Sequence, residues 1–224
     1  YCDSHLREHA AEPELTVTEY PADARNRIVE LVFSYPASRR ELQEMQQDVR
    51  ESLTAAEVYV RYCTSETEKA ALLFTYLAER FPYQQGDSRT PVYSALCQGV
   101  ANSKSMAQSW QLLCDEAGLS CRTVSGLRGG EAYWWNIVTL DGVSCHVDVL
   151  RDLLDGSTLR LRYDEDMAGG YYWDAEDVPA CPAPVPEEEE PEAPAPTEDQ
   201  PASEDPAEDP AETPEAQPTE PETP

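Results

Sequence analysis

Which acyl-transfer chemistry this chain could perform depends on where its few nucleophiles and bases stand. His146 and Asp148 lie two residues apart in CHVDV. On a β-strand that spacing puts both on one face, where a carboxylate can orient an imidazole base. Cys97, in CQGVA, is a thiol that such a base could activate. A thiol gains most at the N-terminus of a helix, where aligned peptide dipoles stabilise the thiolate. The helix expected to start near Asn102 offers that place, and the residue in it is Ser103, an alcohol. Serine nucleophiles depend on an adjacent base. The strand leading into Asn136 carries Tyr133, a phenol whose ordinary pKa near ~10 makes it no base at neutral pH. Metal chemistry has little to draw on. None of Cys2, Cys63, Cys97, Cys114, Cys121, Cys145 and Cys181 forms a CxxC pair, and His5, His9 and His146 give no zinc spacing, so no metal or other cofactor is expected.

The elements that position these residues follow from periodicity and punctuation. RIVELVFSY (27–35) alternates Val29, Leu31, Phe33 and Tyr35 against Ile28, Glu30, Val32 and Ser34, which predicts a strand with one buried face. Ser38 and Glu41 form a capping-box signature ahead of Leu42, Met45, Val49 and Leu53 at helical spacing. Ser65 and Glu68 repeat the signal before a second helix that ends near Pro82. A third helix is predicted from about Asn102 to Ala117, with Met106, Trp110, Leu113, Cys114 and Ala117 on one face and Gly118 as the C-terminal cap. Three β segments follow, around CRTVSG, YWWNIVTL and VSCHVDVL, the last two joined by the tight-turn pair Asp141-Gly142. Helices followed by an antiparallel sheet predict an α+β domain with its helices on one side of the sheet. Residues 1–26 are polar and expected to be loosely ordered.

In combination these blocks resemble a known family. Tyr93, Ala95, Leu96, Gly99 and Ala101 ahead of Ser103, then Ala107, Leu112, Leu113, Ala117, Gly118 and Cys121, then YWWN and HVDV, are similar to the transglutaminase-like branch of the papain-like cysteine protease superfamily. The resemblance implies a papain-like core whose members carry Cys, His and Asp at the positions here occupied by Ser103, Tyr133 and Asp148. It thus implies a degenerate triad, with only the orienting acid retained and with no catalytic function. CQGVA also looks like the family's own nucleophile motif, so an active thiol enzyme using Cys97, His146 and Asp148 is the alternative. That alternative requires six residues removed before Cys97 and six inserted after it. Met167, Trp173-Asp174, Pro179 and Cys181 resemble the closing segment of bacterial, clostridial-type members, which sets the domain at about 27–182.

Composition bounds the remainder. From Cys181 to Pro224 the chain has thirteen prolines, fifteen acidic residues and no Lys, Arg or aromatic, which predicts a disordered, extended tail from about 183. The first 180 residues still carry 29 acidic against 16 basic side chains, a net −13, which argues against nucleic acid as a partner. No apolar run approaches the ~20 residues of a transmembrane helix. Seven cysteines suggest an oxidising compartment and one or two disulfides, in a bacterial protein exported or held at the cell surface. Aromatics and a carboxylate at the site suggest a peptide or glycan ligand.

Overall fold

The computed structural model describes residues 11–21 and 27–184. The readings of residues 1–10 and 22–26 and of the tail from 185 lie outside them. The described residues belong to one unit that ends at Val185.

Local signals set the long helices. Helix α1 (Arg39–Val60) opens on the predicted capping box: Ser38 Oγ accepts from Glu41 N–H and Glu41 Oε2 from Ser38 N–H. It buries Val49, Leu53, Ala56 and Val60. Helix α2 (Glu66–Arg80) is capped by Ser65, whose Oγ accepts from Glu68 N–H. After it, β3 (Gln84–Gln85) runs parallel to β4 (Val100–Ala101). Between them lie a short turn, α3 (Pro91–Tyr93), and a π-helical turn, Ser94–Gln98, that ends on Gly99 at φ 71°. A Cβ at Gly99 would sit 2.6 Å from the Cβ of Phe81, so only glycine fits. Helix α4 (Ser103–Glu116) starts on a reciprocal cap between Asn102 and Ser105 and stops before Gly118.

Strands β5 (Ser120–Arg128), β6 (Glu131–Leu140), β7 (Val143–Val147) and β8 (Tyr171–Tyr172) form one antiparallel sheet in the order β7-β6-β5-β8. Asp141 and Gly142 turn between β6 and β7 with φ of 51° and 85°, as their sequence predicted. Along β6 the side chains alternate between two cores. Val138 and Leu140 join Cys145, Val147 and the helices in the larger one, with Trp110 and Leu113 of α4 at its centre. Trp135 and Ile137 join Val124, Met167, Tyr171 and Cys181 in the smaller one, on the opposite face. That second core is closed by α6 (Asp164–Met167), β8 and the stretch on to Cys181, whereas α5 (Val149–Leu154) puts Val149 and Leu150 into the larger core. The α+β reading holds: the three long helices share one face of the sheet.

Three expectations are corrected. Strand β2 (Arg27–Ser34) exists but has no buried face, because it pairs only with β1 (Glu14–Pro21), and Val29, Leu31 and Phe33 stay exposed. Within the N-terminal segment Glu14–Pro21 is a strand rather than loose chain, a signal carried by Leu15 and Val17 alternating with Thr16 and Thr18. The expected disulfides are absent among the described residues: Cys63, Cys97, Cys114, Cys121, Cys145 and Cys181 are free thiols.

Candidate functional site

Asp148 ends β7 and caps α5, its Oδ1 accepting from Arg151 N–H at 3.2 Å. It is buried, and two phenols complete its shell. Tyr133 Oη–H donates to Oδ1 at 3.1 Å and Tyr171 Oη–H to Oδ2 at 2.6 Å. A buried carboxylate needs such donors to remain charged. The same partnership acts on the phenols. Burial, and then the adjacent Asp148 charge, push the Tyr133 hydroxyl well above its ordinary pKa, and those two causes also raise that of Tyr171. Both therefore stay protonated and serve as donors. Tyr133 cannot act as a base from this position.

Tyr171 was not singled out by the sequence reading, and its place depends on a glycine. Gly126 stands opposite Tyr133 in the β5–β6 register, and a Cβ there would lie 2.2 Å from the carbonyl oxygen of Tyr172 and 2.8 Å from the Trp135 ring. Without a side chain at 126, β8 comes in beside β5 and delivers Tyr171 to Asp148. Arg128, two residues on, lays its guanidinium over both rings, 5.1 Å from the Tyr133 centroid and 5.5 Å from that of Tyr171.

Ser103 is the first residue of α4, the place that suits a nucleophile. Among the described residues no hydrogen bond joins its hydroxyl to Tyr133 or Asp148, and no base stands behind it. Asn136 gives nothing to Asp148: it turns to the other face of the sheet and donates to the carbonyl oxygen of Ala107 at 2.9 Å.

The Cys97 arrangement is not assembled. Cys97 lies in the π-helical turn, half-buried near Arg80, Tyr83 and Asp48, and burial, with Asp48 adding to it, pushes its thiol up to about 11. An activated nucleophile would be shifted the other way. His146 is buried on the opposite face of the sheet from the helices, and both ring nitrogens are committed elsewhere. Trp135 Nε1–H donates to Nδ1 at 3.0 Å, which leaves the proton on Nε2, 2.9 Å from Asp164 Oδ1. Burial lowers the His146 pKa, with Asp164 opposing. Asp164 also accepts from Cys181 N–H through Oδ2, at 2.9 Å, so this is a clasp holding the closing segment.

His146, Asp164 and Cys181 place their donor atoms within 4.8 Å of one another. A cation on Nε2 would require the imidazole proton on Nδ1, pointing at the Trp135 N–H. Two donors would then face each other, so the set as arranged does not suit a metal. The described helices include none long and apolar enough to cross a membrane.

Helices on one face of a curled antiparallel sheet, with an acid at a strand end and an alcohol at a helix start, define a papain-like α+β domain. Residues 53–149 match the model of the transglutaminase-like superfamily, and the chain contains a transglutaminase-like domain. Solved structures of similar fold include a candidate protease from Parabacteroides distasonis, at 13% identity over 62% of this chain and 36% of that one, TM-score 0.36. A transglutaminase is similar at 10% identity over 61% and 43%, TM-score 0.40. A candidate cysteine protease from Cytophaga hutchinsonii is similar at 9% identity over 71% and 70%, also with TM-score 0.40. The chain thus spans 36% and 43% of the length of the first two. No curated protein matches it.

Proposed function

We propose that this is a non-catalytic transglutaminase-like domain that binds a ligand at the former active site without turning it over. The observation that carries this reading is the 3.1 Å hydrogen bond from Tyr133 to Asp148. A phenol stands where the resemblance puts the base, and its proton is directed at the acid. Ser103, without a base, supports the reading further, as does the raised pKa of Cys97. A place outside the cell or at its surface is proposed on the cysteine count alone, and immunodetection in medium, envelope and cytosolic fractions of the source cell tests it. Turnover is the primary test. Wild type, S103A and C97A should release no ammonia from a glutamine peptide and cleave no peptide amide above the buffer rate. Turnover by wild type that either substitution abolishes would overturn the proposal.

A further inference from the structure

Arg128 is an unusual cation in this molecule. The chain has 44 acidic against 16 basic residues, yet among the described residues the Arg128 side chain forms no ion pair and gives none of its guanidinium N–H groups to a protein acceptor. Glu131 is its Cα partner across the β5–β6 hairpin, but the two side chains do not pair. The residue is instead half-buried, with its guanidinium carbon over the rings of Tyr133 and Tyr171. Those rings are fixed in turn: they meet edge to face at 6.1 Å, and both hydroxyls are tied to Asp148. The result is a preorganised planar fork beside the proposed ligand site. Neither neighbouring carboxylate pairs with it: Asp148 is filled by the two phenols and the Arg151 backbone N–H, and Glu131 forms no ion pair with it among the described residues.

We infer that Arg128 is a receptor for a carboxylate carried by a peptide ligand, a binding role that rests on the non-catalytic reading of the site. A guanidinium presents two parallel N–H groups that match a carboxylate bidentately, and partial desolvation strengthens the pair. A sugar ligand fits less well. Stacking needs an open aromatic face, and here Arg128 lies over both phenol rings while Trp135 is buried. The carboxylate belongs either to a peptide C-terminus or to an Asp or Glu side chain, and the two differ only in where along the peptide the charge lies.

Three probes decide the matter: acetyl-Ala-Ala with a free C-terminus, the same dipeptide as its amide, and acetyl-Glu-Ala amide. Each is titrated into the full chain while the Arg128 side-chain N–H resonance and the affinity are followed by NMR. A carboxylate probe should shift that resonance and bind, the neutral amide should do neither, and whichever acid binds identifies the source. R128Q should weaken binding at least about tenfold, and R128K, which keeps the charge but loses the fork, should also weaken it. R128K supplies the readout if R128Q does not fold. Equal binding of acid and amide, binding unaffected by both variants, or no shift with either acid overturns the inference. Cleavage of a probe, monitored in the same samples, would contradict the non-catalytic reading instead, so the two failures are distinct.

Discussion

At the scale of single residues, Asp148 determines what the neighbouring side chains can do. Two phenols and a backbone N–H fill it, so removing one of them leaves a buried charge short of a donor. Tyr171→Phe is expected to cost about 1–3 kcal/mol of stability in urea denaturation. Tyr133→Phe should cost less, because that ring is more open to solvent than Tyr171. His146 makes a pH prediction whose sign follows from its surroundings. Its folded pKa is depressed below the unfolded value of about 6.5, so the unfolded chain binds the proton more readily. Stability from this group is present above pH about 6.5 and is lost as pH falls toward the folded pKa. Trp135→Phe removes the N–H that blocks Nδ1, and NMR titration should show the His146 pKa rise. The thiols separate as well. With its pKa near 11, Cys97 should react slowly with iodoacetamide at pH about 8, whereas S103C should create the fastest-reacting position, since the α4 N-terminus favours a thiolate.

At the scale of elements, two junctions carry the architecture. The Asp141 carboxylate, in the β6–β7 turn, accepts from Glu66 N–H, Thr67 N–H and the Thr67 hydroxyl, which seats the hairpin on the N-terminus of α2 and lowers the Asp141 pKa. Asp141→Ala should lower the melting temperature and remove part of the stability lost on acidification. Gly126→Ala would drive β8 from β5 and withdraw Tyr171 from Asp148, seen as faster hydrogen exchange at Tyr171 and Tyr172. The helices were legible in the sequence because their caps are local: Ser38, Ser65, Asn102 and Gly118 each act within a few residues. The β5–β7 strands were legible from alternation and from Asp141-Gly142. Tyr171, Arg128 and the His146 clasp were not, because each depends on contacts between distant segments that no local pattern encodes. The apolar alternation of β2 does mark a strand but not a buried face, because the described chain offers nothing for it to pack on.

At the scale of the whole molecule, charge dominates. A net −13 over the first 180 residues repels itself, so the melting temperature should rise as salt is increased to about 0.3 M, where exposed charges are screened. The exposed apolar residues of the β1–β2 hairpin, Leu15, Val17, Val29, Leu31 and Phe33, make it the region expected to exchange fastest, since a lone two-stranded hairpin has little to hold it. The account rests most heavily on the claim that no nucleophile here is activated. Intact-mass spectrometry after incubation with an activated aryl ester tests that directly. Wild type should gain no acyl adduct, whereas S103C/Y133H, which places a thiol and an imidazole at positions 103 and 133, should gain one at position 103. An acyl adduct on Ser103 or Cys97 of the wild-type protein, turning over with time, would contradict the account.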